Sequence, residues 1–120
     1  MTALISDDSK ITRMMIKEIL TSCGFTTFFE ASNGDDAIDL YKTHTPVMVT
    51  LDLTMGTCNG IEVLKKIKEV DQDAKVIMVS STSQDIVVKD AIKNGAGGYV
   101  VKPFTFEQVT SAVEKIMKTS

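Results

Sequence analysis

The sequence predicts an α/β fold in which one parallel sheet lies between two layers of helices, and three observations predict it. Short apolar runs alternate with stretches of helical period five times along the 120 residues. Two of those runs, Val47-Met48-Val49-Thr50-Leu51 and Val76 to Val79, are apolar on both faces, as central strands covered on both sides must be. With two Pro, seven Gly and no charge block or low-complexity segment, nothing marks a domain boundary, so residues 1–120 are expected to form a single domain.

The elements follow in order. Ala3-Leu4-Ile5 begins the first strand. After Asp7-Asp8 a helix is predicted from Ser9 to about Ser22, with Ile11, Met14, Met15 and Ile19 on its buried face. Ser9 caps its start, and Gly24 supplies the left-handed residue that ends it. Thr26 to Ala31, rich in aromatic and β-branched residues, is the second strand. Ala37, Ile38 and Tyr41 mark a short helix that ends before Pro46, because the residue preceding a proline disfavours the helical conformation. The run ending at Leu51 leads through Asp52 and a loop to Gly60, then a helix whose period shows in Leu64, Ile67 and Lys68. Val76 to Val79 leads through Ser80, Ser81 and Thr82 into a helix carrying Val87, Val88, Ala91 and Ile92, which stops at Asn94-Gly95. Tyr99-Val100-Val101 precedes Lys102-Pro103 and a last amphipathic helix with Phe106, Val109, Val113, Ile116 and Met117.

Five strand–helix units with right-handed crossovers leave few topologies. The compact one is a three-layer, flavodoxin-like (βα)5 fold with a five-stranded parallel sheet. Its strand order, 2-1-3-4-5, is the known order of such sheets rather than a deduction from this chain. A closed barrel would need eight units.

Composition removes several functional classes. A chain of 120 residues buries roughly two-thirds of its unfolded surface, enough for a core without disulfide or metal staples. Thirteen basic against 16 acidic residues give a net charge of −3 and a pI near 5.1, which argues against nucleic acid or anionic lipid as the partner. No apolar stretch approaches the ~20 residues that span a bilayer, and the N-terminus has no signal-peptide pattern. A cytoplasmic protein with no membrane partner is expected. Cys23 and Cys58, with the single His44, have no metal-ligand spacing and are expected to be free thiols.

In open α/β sheets, ligands bind beyond the carboxyl ends of the strands, near the point where strand order reverses. Strand one ends in Asp7-Asp8, strand three in Asp52, strand four in Ser80-Ser81-Thr82 and strand five in Lys102-Pro103. Strands one and three are neighbours in the expected order, which brings the three carboxylates together. Two carboxylates about 4 Å apart repel by roughly 4 kcal/mol at an effective dielectric near 20, so the trio calls for a cation. Lys102 offers one charge, and the remaining deficit suits a hard, oxygen-seeking divalent ion such as Mg²⁺. A carboxylate beside Mg²⁺, an ammonium and a hydroxyl is suited to phosphoryl transfer, with Asp52 as the nucleophile that becomes an aspartyl phosphate.

From Leu4 to about Met117 these residues resemble the receiver domain of bacterial two-component response regulators, in its stand-alone form. The matching motifs are Asp7-Asp8, Asp52 within Val-Thr-Leu-Asp-Leu-Thr-Met, Gly60, Ser80, Tyr99 and Lys102-Pro103-Phe104. The resemblance implies that Asp7, Asp8, Asp52 and the backbone carbonyl of Thr54 hold one Mg²⁺, for which Mn²⁺ could substitute. It implies phosphorylation of Asp52 by a sensor histidine kinase, followed by self-catalysed dephosphorylation, with no other enzymatic activity. Ser80 would then turn toward the phosphoryl group, Lys102 would pair with it, and Tyr99 would swing inward, altering the surface of helix four, strand five and helix five. Lys102-Pro103 resembles the family's cis peptide. Thr54 and Thr82 occupy positions that tune dephosphorylation and the access of a phosphatase.

Arg13-Met14-Met15 and Tyr-Val-Val-Lys-Pro-Phe resemble the chemotaxis branch, whose output partner is a flagellar motor switch component. A monomer is expected, and with the sequence ending at Ser120 the output is expected to be protein binding. A phosphorelay intermediate or phosphate sink is the alternative within the family. Outside it stand a small metal-dependent phosphatase, for which the chain leaves little room, and a flavodoxin-type electron carrier, whose flavin phosphate Asp7-Asp8 would repel. The chain departs from the family at Gly56, where proline is usual, and at Ser81, where alanine is usual. Cys58 lies in the same loop as Gly56.

Overall fold

Alternation of strand and helix is what the chain adopts: β1 (Thr2–Ser6), α1 (Lys10–Ser22), β2 (Thr27–Ala31), α2 (Gly34–His44), β3 (Met48–Asp52), β4 (Thr54–Met55), β5 (Cys58–Asn59), α3 (Gly60–Val70), β6 (Val76–Ser80), α4 (Asp85–Lys93), β7 (Gly98–Val101) and α5 (Phe106–Lys118). The structure is a computed structural model that describes residues 1–55 and 58–118, with Cys58 described in its backbone alone. The Gly56 departure and the Cys58 thiol lie outside what is described.

Five strands form one parallel sheet in the order β2-β1-β3-β6-β7, which, counting only that sheet, is the expected 2-1-3-4-5. β4 and β5 form a separate antiparallel pair, Thr54 opposite Asn59 and Met55 opposite Cys58, within the segment the sequence reads as loop. Two residues a side is too short for any period-two signal to show.

The sheet's two faces divide the core. Leu4, Val49, Leu51, Val76 and Met78 pack with Ala37 and Tyr41 of α2, with Ile61, Leu64 and Ile67 of α3, and with Ala91 of α4. Their neighbours Ala3, Ile5, Met48, Ile77 and Val79 point the other way, onto Ile16, Ile19 and Leu20 of α1 and Val109, Val113 and Ile116 of α5. Such strict alternation is the pleat of a strand buried on both sides.

One expectation about α1 is corrected. Ile11, Met14 and Met15 are 71, 56 and 46 % exposed, while the buried face is Ile16, Ile19 and Leu20. Two overlapping stripes run along this helix, and Glu18 decides between them. It falls at i+7 from Ile11 and i+4 from Met14, so the first stripe ends in a carboxylate, whereas Ile16, Ile19, Leu20 and Cys23 continue without a charge. Burying three such side chains contributes roughly 1.5–3 kcal/mol each. Phe106 and Ile92, members of the apolar patterns of their helices, are also exposed, Phe106 in the first turn of α5 and Ile92 in the last turn of α4.

The predicted helix ends are in place. Ser9 Oγ accepts from Thr12 N at 3.2 Å, and Gly24 and Gly95 carry φ of 99° and 102° after α1 and α4. α2 closes at His44, with Thr45 left-handed at φ 41° ahead of Pro46.

Candidate functional site

Sheet register sets the site. Ser6 lies opposite Leu51, so Asp7 follows beside Asp52. Asp52 lies opposite Val79, which puts Ser80 one step beyond it, and Ser80 lies opposite Val101, so Lys102 comes next. The Lys102 amide donates to Ser80 O at 2.7 Å, extending the ladder by one bond. All of these residues sit at the carboxyl edge where the strand order reverses between β1 and β3, the crevice that open α/β sheets use for ligands.

Carboxylate oxygens of Asp7, Asp8 and Asp52 lie within 4.8 Å of one another. Asp7 and Asp52 are buried, at 1 and 5 % exposure, and Asp8 is exposed. Lys102 Nζ reaches Asp7 Oδ2 at 2.8 Å and Asp52 Oδ2 at 3.4 Å. The other oxygens are held by the backbone: Ser9 N donates to Asp7 Oδ1 at 2.9 Å and Thr54 N to Asp52 Oδ1 at 3.2 Å.

Burial, then the charge of Asp7, holds the Asp52 carboxyl above the ordinary carboxylate range, against the Thr54 amide and Lys102, which pull it down. Burial works against the charged form of Lys102 as well. The hydrogen bond to Asp7 and the charges of Asp7 and Asp52 outweigh it, so the ammonium is held above its ordinary range. The site is therefore an acidic cluster short of positive charge. Three hard oxygen donors, two of them buried and preoriented by backbone amides, fit Mg²⁺ or Mn²⁺ better than a soft metal.

A second chain of contacts leads away from the cluster. Ser80 is buried, and its Oγ accepts from Thr82 N at 3.1 Å. The Thr82 carbonyl accepts from the half-buried Tyr99 hydroxyl at 2.8 Å, so the end of β6 is tied to β7 just ahead of α4. Ser81 is exposed, and nothing in the structure explains its hydroxyl. The Lys102-Pro103 peptide is cis.

Gly60 passes beneath Asp52 so closely that a Cβ there would lie 2.5 Å from the Asp52 carbonyl oxygen and 2.6 Å from Leu53 Cα. The Gly60 amide donates to Leu53 O at 2.6 Å, pinning the start of α3 to the end of β3. Two further contacts were not legible as site features. Ser6 Oγ donates to Met55 Sδ at 3.1 Å, joining the end of β1 to the segment after Asp52. Arg13 Nη1 donates to the Asp7 carbonyl at 2.7 Å. Both depend on side-chain reach across elements, for which a single sequence carries no periodic signal.

Residues 3–114 match the family described as response regulator receiver domain. The chain is 46 % identical over 114 residues to the chemotaxis protein CheY of Bacillus subtilis, covering 95 % of each chain. It is 43 % identical over 115 residues to the chemotaxis protein CheY of Thermotoga maritima, covering 96 % of each. Among solved structures it superposes with TM-score 0.92 and 37 % identity on a chain of the CheX-CheY-BeF3-Mg complex from Borrelia burgdorferi, covering 97 % of this chain and 88 % of that one.

Proposed function

The chain belongs to the response regulator receiver family, and from that premise we propose that it is a chemotaxis switch set by phosphorylation of Asp52 from a sensor histidine kinase. The observation that carries the proposal is Asp52 itself: a buried carboxylate at the strand-order reversal, within 4.8 Å of two others and 3.4 Å from an ammonium.

Asp7, Asp8, Asp52 and the Thr54 carbonyl would hold one Mg²⁺, whose charge, when bound, offsets that of the transferred oxygens. An Asp52 oxygen attacks the phosphorus of a phosphohistidine. The new O–P bond forms as the P–N bond breaks, and the imidazole nitrogen keeps the electron pair. Lys102, held between Asp7 and Asp52, exchanges its bond to Asp52 for one to the phosphoryl group. The Ser80 hydroxyl, bound to the Thr82 amide, turns to the same group.

Because Thr82 also holds the Tyr99 hydroxyl, movement of Ser80 alters the support of Tyr99, and with it the surface of α4, β7 and α5. Phosphorylation adds contacts available in one of two arrangements, which is a population shift. The partner that reads that surface is a protein such as a flagellar motor switch component, a reading supported by the CheY relatives. Thr54 and Thr82, at the rim, would tune attack by water or by a phosphatase. The switch would work as a single-domain monomer in the cytoplasm. Among the described residues, no helix is long and apolar enough to cross a membrane.

Intact-mass measurement after incubation with acetyl phosphate and Mg²⁺ tests the core of this. One phosphoryl group should appear on the wild type, none in chelator and none on Asp52→Asn. Equal labelling of Asp52→Asn would overturn the assignment.

A further inference from the structure

Asp7 is held at every polar atom it has. Its amide donates to Ala31 O at 3.0 Å, Oδ1 accepts from Ser9 N at 2.9 Å, and Oδ2 takes Lys102 Nζ at 2.8 Å. The remaining atom, its carbonyl oxygen, accepts from Arg13 Nη1 at 2.7 Å. The first three restraints come from the sheet ladder, a local turn and the ion pair already described. The fourth comes from a side chain six residues further on, in the first turns of α1, that is only 15 % exposed.

Arg13 is itself aimed. Its Nε donates to Glu30 Oε1 at 3.0 Å, one residue before the end of β2. Two nitrogens of one planar fork are thus fixed by acceptors at the ends of two adjacent strands, a geometry that lysine cannot copy. The carbonyl that Arg13 holds belongs to the Asp7–Asp8 peptide. Fixing that plane fixes how the exposed Asp8 leaves the strand relative to the buried Asp7.

We propose that Arg13 is a positioning residue for the acidic cluster, holding the Asp7–Asp8 peptide so that the two carboxylates and Asp52 keep the spacing a divalent cation needs. The inference rests on the cluster being a cation site, and its test keeps the two apart.

Three roles for Arg13 predict different signs. As a bare positive charge near the site, Arg13 would repel a divalent cation, and its loss would tighten binding. As a purely structural contact, its loss would lower the melting temperature and leave the affinity of the folded protein unchanged. As a positioning residue, its loss weakens binding although a repelling charge has been removed.

The experiment is a titration of the full chain with MgCl₂, read from backbone amide resonances of Asp8, Asp52 and Thr54, for the wild type, Arg13→Gln, Arg13→Lys and Glu30→Gln. Melting temperatures are recorded alongside. Arg13→Gln should raise the dissociation constant about tenfold, the low end of what loss of an outer-shell partner costs. Arg13→Lys keeps the charge without the fork and should weaken binding too, so the result survives if Arg13→Gln folds poorly. Glu30→Gln keeps an acceptor for Arg13 and should stay within about twofold of wild type, well short of that loss. Unchanged or tighter Mg²⁺ binding in both Arg13 variants overturns the proposal. A wild type with no saturable response would overturn the cation site, and the inference with it, before any substitution is compared.

Discussion

Replacing Asp52 by asparagine should stabilise the protein in the absence of divalent cations. The Asp7 and Asp52 oxygens are no more than 4.8 Å apart, which at an effective dielectric near 20 is a repulsion of roughly 3–4 kcal/mol. Lys102 Nζ at 3.4 Å from Asp52 returns roughly 5 kcal/mol on the same scale. Asp8 adds repulsion, screened by its exposure, so the charge terms come close to cancelling. What remains is the cost of burying an ionised carboxylate at 5 % exposure, at most several kcal/mol once the surroundings have relaxed.

Asparagine removes the charge and keeps the shape. A net gain of about 1–2 kcal/mol is expected, or roughly 4–8 °C in melting temperature for a chain of this size. The pH dependence has a definite sign. The folded Asp52 carboxyl is raised above its ordinary value, so the stability of its protonated form is present at low pH and lost as pH rises through the folded value. The advantage of Asp52→Asn should therefore be small near the ordinary carboxylate pKa of about 4 and open out above it. Saturating Mg²⁺ should reverse the order, since a ligand at 100 times its dissociation constant stabilises the wild type by about 2.7 kcal/mol. Thermal melts by circular dichroism, in EDTA and in MgCl₂ at several pH values, measure all three effects. A variant less stable than wild type in EDTA, or a gap indifferent to pH, would refute the electrostatic reasoning.

Other expectations follow from the same geometry. Gly60→Ala would press a Cβ against Asp52 O and Leu53 Cα and must displace the segment carrying Asp52. It should cost about 1–3 kcal/mol in urea unfolding and depress Asp52 labelling, and an unchanged midpoint would contradict the close approach. Lys102→Met leaves the buried Asp7 carboxylate without its ammonium. The cost should be about 2–3 kcal/mol, discounted from the buried-pair range because Lys102 is partly exposed. Since the Lys102 ammonium is held above its ordinary range, its contribution is full below about pH 10 and is lost as pH rises through the folded value. The stability difference between wild type and Lys102→Met should narrow on that alkaline limb, and a constant difference would count against the ion pair.

Much of this architecture is legible in the sequence, and the parts that are not share a physical reason. Strand positions and their two-sided burial follow from continuous apolar runs such as Val76 to Val79, and the helix ends from Ser9, Gly24 and Gly95. Once the strand order is accepted, the convergence of Asp7, Asp8, Asp52 and Lys102 needs only the pleat and the register. Choosing between the two stripes of α1 requires weighing Glu18, because three exposed apolar residues mimic a core face. The β4–β5 pair is shorter than any pattern, and the bonds from Arg13 to Asp7 and from Ser6 to Met55 come from side chains meeting across elements. Local periodicity reports which way a residue points, and it is silent on what the residue meets.

The central claim is that Asp52, among the 16 acidic residues, receives the phosphoryl group. Borohydride reduction of the acetyl phosphate-treated protein, followed by peptide sequencing, tests it most directly, because an acyl phosphate on aspartate is reduced to homoserine at the modified position. The account predicts homoserine at position 52 alone, dependent on Mg²⁺. Homoserine at Asp7, Asp8 or another aspartate, with Asp52 intact, would contradict it.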